Sequence, residues 1–89
     1  SIYEVDNLLD KDIALRDAHL KILQSKTDIE KAVKYAQSSY NLGLVDLMYL
    51  LNTQQQLHNI SLQENKILSD RYKNKIDLIL SLGGRLDYE

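Results

Sequence analysis

The side chains of this chain that could do chemistry are few, and their spacing suits little of it. His19 and His58 are the only histidines, and neither has a second ligand-type residue three or four positions away to complete a metal site. Asp6, Asp10 and Asp12 look like a carboxylate cluster, but they fall in the first turns of an expected helix, where negative charge complements the macrodipole. Glycosidase-like or two-metal chemistry needs carboxylates converging in a pocket, which a two-helix rod does not supply. Gly83-Gly84 is too short to cradle a phosphate, and there is no Ser nucleophile elbow. The absence of cysteine removes disulfides, thiolate catalysis and zinc ribbons together. Tyr35, Tyr40, Tyr49 and Tyr72 could stack on bases, yet no basic groove surrounds them, so packing is the better reading. The expectation is a non-enzymatic chain with no metal and no cofactor.

Charge points the same way. Lys and Arg number 11 against 13 Asp and Glu, a net charge of -2 that leaves no footprint for nucleic acid. No stretch of some 18 apolar residues is present, so no helix of this chain is expected to span a bilayer. Ser1, where an initiator Met would stand, reads as the start of a piece cut from a longer protein, with Met removal as the plain alternative.

The elements that must carry these residues are two helical arms. In the first, steps of seven from Leu8 give Leu15, Ile22, Ile29 and Ala36, with Val33 and Tyr40 interleaved, which is a coiled-coil seam. A second register, Ala18, Ser25, Ala32 and Ser39, lines one flank with small side chains that permit close helix approach. Lys11, Arg16, Lys21, Lys26, Asp28, Glu30, Lys31 and Lys34 are expected on a solvated face. The arm ends at Gly43, since glycine takes the left-handed conformation that follows a helix C-terminus, and Asp46 can cap the next helix. So short a connection is expected to fold the arms back as an antiparallel hairpin, with a single kinked helix as the alternative.

The second arm opens apolar with Leu47, Met48, Leu50, Leu51 and Leu57. Its middle is polar but almost uncharged, with Gln54, Gln55, Gln56, Asn59 and Gln63. Apolar residues from Ile60 to Leu82 spread over more than one stripe, so neighbours on two sides are expected. Gly83-Gly84 is expected to stop this helix. The fold expected is therefore all-α, one long coiled-coil hairpin over residues 1–89. A helix runs from about 3 to 42, a tip from 43 to 46, a second helix from about 46 to 82 and a tail from 83 to 89. A helix of about 40 residues spans roughly 60 Å. Two of them side by side enclose no centre, and such a hairpin alone is marginal.

Three motifs carry a resemblance. Tyr40-Asn41-Leu42-Gly43, Leu51-Asn52-Thr53-Gln54 and Leu82-Gly83-Gly84 stand in the order and spacing of a Tyr-x-x-Gly tip, a Leu-[Asp/Asn]-[Ala/Thr]-Gln stretch and a closing Leu-Gly-Gly. Glu4-Val5-Asp6-Asn7-Leu8 is similar to the entry into the preceding helix. Nearly the whole chain thus resembles the C-terminal helical hairpin of the TolC-type outer membrane factors, the exit ducts of tripartite efflux pumps and type I secretion systems.

The resemblance implies a place and partners. In such proteins three subunits supply hairpins to an α-barrel that crosses the periplasm, and the tips form its lower aperture. This chain would then be the periplasmic part of an outer membrane protein, homotrimeric in its parent and coupled only indirectly to an inner-membrane pump. Tyr40, Asn41, Leu42, Gly43, Leu44, Val45 and Asp46 would form the tip that docks a periplasmic adaptor, with Tyr49 and Asn52 lining the aperture. Ala18, Ser25, Ala32 and Ser39 would allow close packing within or between hairpins. The best-known member has an arginine where Val45 stands, and pore-narrowing aspartates where Tyr49 and Asn52 stand. An aperture held by packing more than by charge is implied here. The alternative reading is a soluble coiled-coil hairpin that pairs into a four-helix bundle as a scaffold or regulatory interaction module.

Overall fold

Two heptad rows, one on each arm, build the structure. The computed structural model describes residues 2–86, with side chains described as far as Gly83. Helix α1 is Ile2–Asn41 and helix α2 is Leu47–Leu86, each of 40 residues, joined by residues 42–46. The protein is an all-α helical hairpin of the coiled-coil kind. No proline interrupts either helix, and α1 contains no glycine.

The chain divides into a tip unit, Lys21–Asn65, and a terminal unit made of Ser1–Leu20 with Lys66–Glu89. In the tip unit one row of covered side chains on α1 is Ile22, Lys26, Ile29, Val33 and Ala36, at alternating steps of four and three, and Ala32 and Ser39 are covered besides. The matching row on α2 is Leu50, Thr53, Leu57, Ile60 and Glu64, with the same alternation. Ala36 is fully buried at 0% exposure, and Leu50 and Ile60 are buried with it. Fixed alternation of three and four keeps one stripe turned toward one partner helix, the condition for a coiled-coil seam. The terminal unit repeats the pattern with Val5, Leu8, Asp12, Leu15 and His19 on α1 and Ile67, Arg71, Asn74, Leu78 and Ser81 on α2.

Polar residues hold seam positions in both units, and most are paired. In the tip unit Lys26 Nζ donates to Glu64 Oε1 at 2.9 Å, with side chains 28% and 17% exposed. This corrects the expectation that Lys26 lies on a solvated face. Its aliphatic stem covers the seam while its ammonium finds a carboxylate, the usual way a long cation occupies a half-buried site. The Glu64 hydrogen bond holds the Lys26 ammonium above the usual lysine value of 10.5. Thr53 satisfies its own hydroxyl on the Leu50 carbonyl at 2.8 Å. In the terminal unit Arg71 lies 2.7 Å from His19 Nδ1, and Asn74 Nδ2 donates to the Leu8 carbonyl at 3.0 Å. Asn74 is only 2% exposed and its Oδ1 has no partner.

The end of α2 departs from expectation. The helix does not stop at Leu82 but continues through Gly83 and Gly84 to Leu86, and residues 87–89 of the expected tail lie outside the described residues. Glycine inside a helix costs about 1 kcal/mol relative to alanine, a penalty and not a prohibition. Glycine typically ends a helix by adopting the left-handed conformation with its capping bonds, and Gly83 has no positive φ.

Candidate functional site

The tip is where the chain's special backbone chemistry is concentrated. Gly43 has φ +74°, the one positive φ among the described residues. Around it the Leu44 N–H donates to the Ser39 carbonyl at 2.9 Å and the Gly43 N–H to the Tyr40 carbonyl at 2.9 Å. These are the two bonds of a Schellman cap, which satisfies carbonyls that the end of α1 would otherwise leave open. Two residues on, α2 begins with a capped amide: the Tyr49 N–H donates to Asp46 Oδ1 at 2.8 Å. Asp46 therefore serves as N-cap, and its backbone carbonyl receives the Leu50 N–H at 3.4 Å. Gly43 and Asp46 act at the backbone as their residue types predict.

With both helix ends satisfied, the intervening side chains are free to point outward. Leu42 and Leu44 are 74% and 72% exposed, and Met48 is 61% exposed on the first turn of α2. Tyr40 and Tyr49 are partly exposed, Asn52 is exposed and Val45 is half-buried. Asn41 Oδ1 receives the Gln37 side-chain amide at 3.0 Å across one turn of α1. The seven residues Tyr40 to Asp46 thus form one contiguous end, with Tyr49 and Asn52 on the following turns of α2.

Electrically the tip is almost empty. From Tyr35 to Gln63 the one formally charged residue is Asp46, and its carboxylate already caps α2. Apart from Gly43, Met48 and His58, the rest of this stretch is aliphatic, aromatic, hydroxyl or amide, and Gln55 and Asn59 bond to each other at 3.0 Å across one turn.

The small-residue register divides. Ser39 is buried, Ala18 and Ala32 are half-buried, and Ser25 is exposed. Within the described chain the close-packing role thus falls to Ser39, with Ala32 in the same unit and Ala18 in the other.

The remaining chemistry-bearing residues do not converge. Among the described residues no group of three or more His, Cys, Asp and Glu could hold a metal ion. His58 is exposed, while His19 belongs to the seam. Asp6 and Asp10 are exposed; Asp12 lines a shallow cleft of about 190 Å³ with Leu68, Arg71, Tyr72 and Lys75. No helix among the described residues is long and apolar enough to cross a membrane.

Sequence reasoning missed the polar seam positions. The signal lay in the seven-residue steps Val5, Asp12, His19, Lys26, Val33 on α1 and Leu50, Leu57, Glu64, Arg71, Leu78 on α2. These rows change from apolar to charged and back, so a search for apolar residues alone breaks off inside them. Comparison with known proteins finds no matching family model, no matching curated protein and no matching solved structure.

Proposed function

We propose that this chain is one periplasmic helical hairpin of a TolC-type outer membrane duct, serving a tripartite efflux pump or type I secretion system, and that its tip docks a periplasmic adaptor. The observation that carries the reading is the tip itself. A Tyr-x-x-Gly sequence closes as a fully capped turn between two long helices and presents Leu42 and Leu44 outward. Two further supports are the Leu51-Asn52-Thr53-Gln54 and Leu82-Gly83-Gly84 motifs at the spacing of that family. Outward apolar residues on α1, Leu9, Ile13 and Leu20, give neighbouring helices of a barrel wall something to pack on.

The role is mechanical and non-enzymatic. Hairpins side by side form the wall of the duct, tips that splay apart open its aperture, and the energy comes from an inner-membrane pump that this chain does not contain. Docking needs a tip of fixed shape, which the two caps provide through backbone amides and the Asp46 carboxylate.

The test is a tip substitution in the full-length protein. Gly43→Asp is expected to abolish export, read as drug susceptibility or loss of secreted substrate, while circular dichroism of the 89-residue chain stays nearly unchanged. The glycine has nothing within 4 Å of an added Cβ, so the substitution acts on tip shape and surface and not on core packing. Normal export would sink the proposal.

The same exposed row on α1, continued by Ile2, also suits a soluble hairpin that pairs with a second copy into a four-helix bundle. An earlier copy of the same hairpin in the full-length gene favours the duct, because these ducts arise from an internal repeat. A gene encoding this hairpin alone favours the bundle.

A further inference from the structure

We propose that Arg71 is a proton-operated latch in the terminal unit: it binds the neutral ring of His19 and moves to Asp12 when that ring takes up a proton. The latch belongs to the seam of this unit and is independent of the docking role of the tip.

Geometry assigns the roles at the contact. Arg71 Nη1 lies 2.7 Å from His19 Nδ1, and both side chains are half-buried. A guanidinium only donates and stays charged, so Nδ1 must present its lone pair, and the proton of the neutral ring sits on Nε2. A proton added at Nδ1 would set a second donor and a second positive charge against the first. The contact then turns from a hydrogen bond into a repulsion between like charges at short range. Histidine is the side chain that changes charge between about pH 5 and pH 8, so acid in that range opens the latch.

Arg71 has a second carboxylate-bearing place to go. It lines the cleft of about 190 Å³ together with Asp12, Leu68, Tyr72 and Lys75. Asp12 stands half-buried on the α1 seam seven residues before His19, on the same row of that helix. The other charges around the ring offer no exchange of partners. On α1, Arg16 one turn away is an exposed cation, and Asp17 and Lys21 are exposed off the seam. On α2, Lys66 and Asp70 pair with each other at 3.6 Å, and Lys75 is an exposed cation on the cleft. Folding favours the neutral ring and the unfolded chain does not, so the unfolded chain binds the extra proton as the pH falls. Stability is therefore present at neutral pH and lost toward acid.

The experiment follows thermal unfolding of the 89-residue chain by dichroism at about pH 7.5 and about pH 5.5, on either side of the histidine range. The parent midpoint is expected to fall by at least about 4 °C on acidification, the shift that a hydrogen bond's worth of stability gives in a chain of this size. His19→Gln is expected to abolish the fall, because its amide oxygen accepts from Arg71 and does not titrate. Arg71→Met is expected to abolish it as well, since no cation then opposes the protonated ring. Asp12→Asn is expected to widen it by removing the carboxylate that receives Arg71, and His58→Gln, at an exposed position, to leave it unchanged. An unchanged parent midpoint, or a full fall in His19→Gln, overturns the latch. A full fall in Arg71→Met would place the effect on burial of the ring alone, and an unaltered fall in Asp12→Asn would remove the transfer to Asp12; each refutes the proposal. The ring nitrogens of His19, read by NMR at about pH 7.5, give a second test: Nδ1 is expected to carry no proton, and a protonated Nδ1 on the neutral ring is a refutation.

Discussion

Gly43 and Asp46 divide the work of the turn between them. Glycine adopts the left-handed conformation that ends α1, and aspartate satisfies an amide that starts α2. Leu42 and Leu44 bond through their own backbone amides, to the Ser38 and Ser39 carbonyls, while their side chains stay exposed. Removing the cap should therefore loosen the tip without touching the seam. Asp46→Ala is expected to destabilise the hairpin by about 1 kcal/mol, the usual loss of an N-cap, read as a lowered thermal midpoint of the 222 nm dichroism. No change in midpoint would mean that the Asp46 bond to Tyr49 contributes nothing. Gly83 shows the other side of the same chemistry. It has the conformational freedom to end a helix but lacks the left-handed φ that Gly43 uses, and α2 runs on through it.

At the scale of the elements, each helix is a heptad row interrupted by polar residues that mostly find partners on the other helix. Lys26 with Glu64 and Arg71 with His19 are such pairs, one in each unit. Asn74 is only half satisfied: its Nδ2 donates to the Leu8 carbonyl across the seam, while its Oδ1 has no partner. A half-satisfied buried amide lowers stability, but it opposes any sliding of α2 that would carry it away from the Leu8 carbonyl. Asn74→Leu is therefore expected to raise the stability of the hairpin by about 1 kcal/mol in chemical denaturation, by removing an unpaired buried polar atom. A destabilisation instead would mean that the single bond to Leu8 outweighs the orphaned oxygen.

The rows also explain how much was legible beforehand. Leu8, Leu15, Ile22, Ile29 and Ala36 announce the seam of α1, and Gly43 with Asp46 announces the turn, because each type has one dominant local use. In the sequence Lys26 looks solvated because a lysine alone does not reveal whether its stem or its charge decides its position. That depended on Glu64, 38 residues away. Gly83-Gly84 misled for a similar reason, since glycine permits a helix stop but does not impose one. Within the candidate site, the identity of the tip residues was readable, whereas the exposure of Leu42 and Leu44 needed the capping geometry.

For the molecule as a whole, the surface raises the question of what completes it. Among the described residues more large apolar side chains are exposed than buried, including Leu9, Ile13 and Leu20 on α1 and Tyr72, Ile76 and Ile79 on α2. A chain built this way is expected to work beside other helices, and the duct wall proposed here provides them at its flanks while leaving the tip for a different protein. Site-specific photocrosslinking in cells tests that division of surfaces. With a benzophenone amino acid in place of Leu44 of the full-length protein, the account predicts an adduct with a periplasmic adaptor, identified by mass spectrometry. The same probe in place of the exposed Gln56 is predicted to give no adaptor adduct. Adducts from Leu44 only with further copies of the same chain, or none at all, would contradict it.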